Sequence, residues 1–495
     1  MGQPIDIDLS GGLYQSSSPI IANLECNNCY VNIPQVKGAL SQATLLGTPG
    51  LFQEATTGTV DQVNRGGHVK DSKPYFVNGS SLYRVDETLV DEELVLTNVL
   101  LGSITGTSRV SMADNGTQLM IIDPESGTGW IVNEADATPF QQITDEDFTA
   151  NGQPKYVVFI DGFFIVTTDS KRFIKSDANN GLSWNALDYG TAEKDPDDIV
   201  APVVFKGELL IGGTETFQSF ENIGGAAGAG FPYEFSGLIL SKGVFAPASL
   251  INTNKSFMFI GGGVNEDPAI WASNGGEPVK VSNTAIDAAL QEFSKEEIER
   301  AFAWSYAQSG AYFVGFSLPS RAFVYDTISK KWHERTSKIV DSKGFTQSIR
   351  WRVNSLVTAY DRILVGDSQD GRIGVVDLKT YSEYGENINR TFSTFMIQNQ
   401  SIALLISRLE ITMQAGVGTF ELDPQVRMSW TDDGHIYGDE LSRGIGRVGE
   451  YNRRAIWTRL GRAPRFRRWR FEFSEKVKFV VAKLQMTAKG GRRGG

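Results

Sequence analysis

One unit recurs along most of this chain, and no other feature narrows its fold as far: a β-rich run, a Gly/Asn/Asp turn, a second β-rich run, another turn and a third run. With Tyr75, Leu119, Phe163, Leu209, Met258, Tyr312 and Ile363 as equivalent marks, the steps are 44, 44, 46, 49, 54 and 51 residues. A lone four-stranded sheet leaves both faces wet, whereas sheets stacked radially bury each other's faces. Steps of about 40 to 50 residues per sheet suit that β-propeller arrangement. Asn115-Gly116 and Asp161-Gly162 supply the positive φ that hairpin tips need. The expectation is an all-β chain built on a six- or seven-bladed propeller. Independent sandwiches with the same strand spacing are the alternative.

At 495 residues the chain exceeds one ordinary core. Its 52 Gly, above the usual share of about 7%, suit many strands joined by tight turns. Residues 1–66 show few periodic runs and are read as an arm or partner-dependent segment. The propeller is placed at 67–380, with a helical excursion at 284–304. There Ile286, Ala289, Leu290 and Phe293 have helical spacing, and Ser294 with Glu297 offers a capping box for a second helix running through Glu299 to Trp304. Longer strands after Thr380 predict a C-terminal β-sandwich-like domain at 381–488, and 489–495 a flexible tail.

The net charge of −11 averages two unlike parts. From Leu441 onward 16 Lys or Arg face 3 acidic residues, a local +13 that leaves −24 for residues 1–440. An acidic body with a basic C-terminal piece can steer partners together. No stretch has the length of a signal peptide or membrane helix, so a soluble chain without membrane contact is expected.

Candidate chemistry is sparse. Cys26-Asn27-Asn28-Cys29 has the spacing of half a zinc site, but a structural zinc needs four ligands and only His68 is near in sequence, so buried or half-buried thiols are expected. His68, His333 and His435 belong to no nucleophile motif. The runs Gly224-Gly225-Ala226-Ala227-Gly228 and Gly261-Gly262-Gly263 lack the Lys-Ser/Thr of a phosphate loop and are read as loops. Asp177 to Trp184, and less closely Ser429 to Tyr437, look like the Asp-box hairpins of sialidase propellers, which are structural. Asp432 and Asp433 are therefore assigned to a turn. No catalytic residue, cofactor or metal is expected.

The basic stretch is the candidate site. Arg453, Arg454, Arg459, Arg462, Arg465, Arg467, Arg468 and Arg470 interleave with Trp457, Phe466, Trp469 and Phe471, and all of these arginines but Arg467 are the expected interface residues. On a strand Arg468 and Arg470 share one face while Trp469 and Phe471 pack on the other. This predicts an amphipathic edge meeting an anionic partner, which the −24 remainder makes an acidic neighbouring subunit rather than DNA phosphate.

These residues also carry a resemblance. Arg443 through Glu450, Tyr451, Asn452, Arg453-Arg454 and Trp457 to Arg462 look like the C-terminal signature of the tail nozzle, or packaged-DNA stabilisation, family of short-tailed bacteriophages. Asn23 to Asn32, Thr48-Pro49-Gly50-Leu51, Arg109-Val110-Ser111-Met112 and the excursion from Ile286 to Trp304 before Tyr312 are similar to it in the same order. The Cys26/Cys29 pair departs from it. The resemblance implies a structural virion protein, made in the host cytoplasm, that forms a hexameric ring below the head-to-tail adaptor. It also implies that the ring holds tail spikes or fibres, possibly with a tail needle, and keeps packaged DNA inside until ejection, the DNA passing without sequence-specific binding. The acidic body would then line a channel that repels phosphate. A receptor-glycan-binding or depolymerising tail propeller is the alternative, and a cellular propeller scaffold a further one.

Overall fold

The hairpin dipeptides set the local geometry. In the computed structural model, five first-to-second-strand hairpins turn on two residues that both have positive φ: Asp71-Ser72, Asp161-Gly162, Lys206-Gly207, Ser309-Gly310 and Tyr360-Asp361. That geometry matches the right-handed twist of the flanking strands. The structure describes residues 4–490 except 17, 19, 21, 37, 59–61, 91, 195–196, 225–230, 341–342 and 401.

Among the described residues seven antiparallel sheets make the ring. Blade 1 is Asn64–Lys70, Lys73–Asn78, Ser81–Val90 and Glu93–Ser103. Blades 2, 3 and 4 run through Ser111–Asp114 to Phe140–Gln142, Pro154–Ile160 to Asn180–Thr191, and Ile199–Phe205 to Tyr233–Leu240. In blade 5 the two short strands Gly243–Val244 and Ile251–Asn252 both pair with Phe257–Gly262, and Ala269–Ser273 and Val279–Lys280 complete it. Blade 6 spans Phe302–Gln308 to Lys331–Glu334. Blade 7 is Val353–Ala359, Arg362–Asp367 and Arg372–Asp377, with Gly50–Thr56 as its outer strand.

Apolar clusters fill the gaps between blades, each its own except between blades 5 and 6, whose cluster continues into the C-terminal sheets. Leu119 and Trp130 meet Tyr75 between blades 1 and 2, Phe173 meets Phe220 between 3 and 4, and Leu364 and Ile373 meet Phe76 where blade 7 returns to blade 1. The Phe173 and Phe220 rings stand edge-to-face with centroids 4.9 Å apart, a favoured aromatic geometry. With a core in every gap the ring needs no centre of its own, and its middle is an open bore.

The segment read as an arm is instead woven into both halves. Gly50–Thr56 pairs antiparallel with Arg372–Asp377 and leads directly into blade 1, so the chain closes its own ring. Cys26–Asn27 bridges blade 6 to the C-terminal strand Arg390–Ser393. Cys29–Asn32, Thr44–Gly47 and Pro4–Ile7 join a second C-terminal sheet through Val480–Gly490. The propeller's first strand also starts at Asn64, ahead of the expected 67.

Other expectations shift. The excursion is helix α1, Thr284–Gln291, and helix α2, Lys295–Glu299. The Ser294/Glu297 capping box forms, but α2 stops short of Trp304, which lies in a strand opposite Gly315. Trp304 packs where a Cβ on Gly315 would collide with its ring, so tertiary packing overrides the helical spacing. Lys489 and Gly490, assigned to a flexible tail, end the last strand, and 491–495 lie outside the described residues. Gly261 and Gly262 are strand residues of blade 5, because a side chain at Gly261 would meet the Gly243 carbonyl. Residues 225–228 of the other glycine run lie outside the described residues.

Candidate interface in the arginine-rich C-terminal sheet

Strand Phe466–Phe473 carries the densest charge, and its alternation decides where that charge goes. Trp469, Phe471 and Phe473 point inward and are buried in one core with Trp457, Met428 and Phe479. Phe471 stacks on Phe392 at 4.9 Å. Arg468 and Arg470 share the opposite face, as the pleat requires. This strand is not an edge, since Arg390–Ser393 and Ile397–Gln398 pair on one side and Gln425–Thr431 on the other.

That central position corrects two of the seven expected interface residues. Arg468 is fully buried, close to the Tyr437 phenol. Arg470 lies 2.9 Å from the Glu25 carboxylate and 3.4 Å from Glu472, with Tyr437 beneath its guanidinium. The acidic partner expected on a neighbouring molecule is, for Arg470, a residue of the chain's own N-terminal segment. Burial pushes the Glu25 carboxyl up, and Arg470 opposes that shift.

The other five reach the surface. Arg453, Arg454, Arg459, Arg462 and Arg465 are exposed. Arg454 lies 2.6 Å from Glu410, which Arg408 also contacts. Among the described residues no carboxylate lies within ion-pair distance of Arg453, Arg459, Arg462 or Arg465. Arg459 has φ +60° and Gly461 φ +75°, so the chain turns sharply between Ala455–Thr458 and Arg462–Ala463 and leaves Arg459 and Arg462 exposed. Guanidinium forks of this kind suit bidentate pairing with carboxylates or phosphates.

Arg467 lies in the basic stretch but outside the seven expected interface residues, and it anchors the region. It is buried, binds both oxygens of Asp432 at 2.7 Å and donates to the Leu460 and Arg462 carbonyls. Asp432 therefore serves an ion pair, not the turn expected of it. Asp433 does serve the turn: its Oδ1 accepts from the His435 and Ile436 amides and the Thr431 hydroxyl, and these bonds hold its carboxyl down at about 2. Asp177 likewise accepts from Ser183 Oγ at 2.6 Å, and Trp184 Nε1 donates to the Gly181 carbonyl, a hairpin held by its own side chains.

The remaining candidates are scattered. Cys26 and Cys29 are buried free thiols with sulfurs 3.8 Å apart, and the hydrogen bond with Cys29, together with burial, pushes the Cys26 thiol up. Among the described residues no three metal-ligating side chains converge. His68 contacts Asp114 at 2.6 Å in the bore. His333 is buried beside Phe313, where burial pushes it down to about 3. His435 lies in the Asp433 turn.

The architecture defines a class: a β-propeller whose N-terminal segment and C-terminal sandwich are laced into one body. The sequence matches the family model described as Bacteriophage P22 Gp10, beta-propeller, over residues 5–381, and its companion described as Bacteriophage P22 Gp10, beta-sandwich, over residues 389–489. The chain belongs to this family. It is 20% identical over 275 residues to the tail hub protein gp10 of Salmonella phage P22, a match spanning 55% of this chain and 57% of that relative. Among solved structures, the WD40 propeller domain of Doa1 aligns at TM-score 0.39 and 12% identity, covering 67% of this chain and 98% of that one. BamB from Moraxella catarrhalis aligns at 0.32 and 11%, covering 67% and 97%.

Proposed function

We propose that this chain is a structural protein of a short phage tail, a nozzle or hub that assembles as a homohexameric ring in the virion. The ring continues the DNA channel below the head-to-tail adaptor, helps retain packaged DNA, and anchors tail spikes or fibres, with a tail needle as a further partner. It works by interface complementarity, without catalysis, cofactor or membrane. The observation that carries this reading is that both halves of the chain, 5–381 and 389–489, match the two domain models of one tail-hub family.

The exposed guanidiniums of Arg453, Arg459, Arg462 and Arg465 are its contact residues, with Arg454 sharing Glu410 at the margin. They face acidic surface on the adjoining subunit or the adaptor. A modest charge-assisted pair repeated at every boundary multiplies around a closed ring. Native mass measurement should give six copies; a trimer points to a spike and a monomer to a scaffold. The double substitution Arg459→Glu with Arg462→Glu should leave a folded subunit that fails to enter the ring, and particles carrying it should leak DNA. Normal assembly of the double mutant, together with wild-type duplex binding whose steep salt dependence the mutant loses, would instead assign the stretch to DNA.

A further inference from the structure

The first strand of every blade lines the bore, a cavity of about 1940 Å³. At the end where those strands begin, three blades bring two cations onto one ring. Arg109, in the link entering blade 2, has its guanidinium carbon 4.0 Å from the centroid of Phe302, the first residue of blade 6. Arg350, in the link entering blade 7, lies 5.2 Å from the same centroid.

The two differ in how they are satisfied. Arg350 donates to the Trp351 and Val353 carbonyls at 2.8 and 3.2 Å and to Asn354 Oδ1 at 2.5 Å. Arg109 has no hydrogen-bond acceptor or carboxylate within ion-pair distance among the described residues. Glu296, Glu299 and Arg300 line the same mouth, yet neither carboxylate comes within ion-pair distance of Arg109 or Arg350. Burial and the nearness of Arg350 push Arg109 down to about 9. Burial pushes Arg350 down to about 10, with Asp367 opposing. The Tyr156 phenol lines the bore beside them and is pushed up to about 12 by burial, so it stays a neutral donor. A half-buried guanidinium that finds no acceptor in the chain is costly, and a second cation on the same ring adds repulsion. An anion between them would offset both terms.

We propose that this end of the bore is an oxyanion site, in which a phosphate or carboxylate group is held by the forks of Arg109 and Arg350 with the Tyr156 hydroxyl as third donor. The group is supplied either by a free inorganic anion or by an acidic side chain of a peptide entering the bore. The site stands on residues of the propeller alone and is independent of the C-terminal interface.

Calorimetry and thermal melting of the full chain test it, comparing inorganic phosphate with chloride at equal ionic strength, then an acetylated hexaglutamate peptide. Saturable phosphate binding that raises the melting temperature assigns the free ion. A response to the peptide alone assigns the acidic side chain. In either case Arg109→Gln should weaken binding by about tenfold or more, the equivalent of one charge-assisted bond. Arg109→Lys, which keeps the charge and loses the fork, should fall between. A structural role for Arg109 predicts instead that Arg109→Gln melts lower in chloride, whereas a site left empty predicts no loss. No response to either ligand, or unchanged binding by Arg109→Gln, overturns the proposal.

Discussion

Arg467 and Arg468 are neighbours in the sequence, yet neither is available to a partner: one is neutralised by Asp432, the other is enclosed beside Tyr437. Charge density alone did not reveal this, because the groups that enclose them come from other strands. Turn glycines were more legible, since their constraint is local. Gly116 and Gly162 have φ +84° and +87°, and an added Cβ at Gly116 would meet nothing within 4 Å. Gly116→Val and Gly162→Val should each cost about 1–2 kcal/mol from backbone strain alone, read as lower denaturation midpoints. Unchanged midpoints in both would remove the turn assignment. Glu134 tests the blade 1–2 contact. Burial pushes its carboxyl up, but the Tyr75 hydroxyl at 2.5 Å, Arg84 at 2.8 Å and Lys73 at 3.2 Å outweigh this and hold it down at about 2. A depressed carboxyl stabilises the folded state above its unfolded value, about 4.5, and that stability is lost as pH falls toward 2. Denaturation midpoints of Glu134→Gln across that window should therefore vary less with pH than those of the wild type; parallel curves would show that the contact contributes nothing.

At the scale of elements, strands with long apolar runs and dipeptide turns were readable, and all seven marks fall in second strands of blades. The short strands were not. Cys26–Asn27 has two residues and Thr44–Gly47 four, too few for a period-2 pattern to stand out from irregular chain. The closing strand is the most consequential of them. Leu51 on Gly50–Thr56 is fully buried against blades 6 and 7, so Leu51→Ala should cost about 3 kcal/mol. Leu187→Ala, at a residue 79% exposed, should change little. Equal small effects in chemical denaturation would mean that the strand adds nothing to ring closure.

At the scale of the whole molecule, one core runs from Met258 and Ile260 of blade 5 through Phe316 and Trp332 of blade 6 to Trp457, Trp469 and Phe471 of the sandwich. Propeller and sandwich should therefore unfold in a single transition. A fragment of residues 389–489 lacks Cys29–Asn32 and Thr44–Gly47, and should show no cooperative melt by circular dichroism; a sharp melt of that fragment would show that the sandwich stands alone. What the sequence determined by itself was the all-β class, the repeat step, the glycine turns and the capped excursion, because each is set by residues a few positions apart. By itself the sequence leaves the blade number at six or seven and reads the first 66 residues as an arm. Only the tertiary structure decided both, since the seventh blade takes its outer strand from Gly50–Thr56, more than 300 positions from the strand it pairs with. It also decided which arginines face solvent, because the carboxylates that bind Arg467 and Arg470 reach them across strands that no local pattern connects.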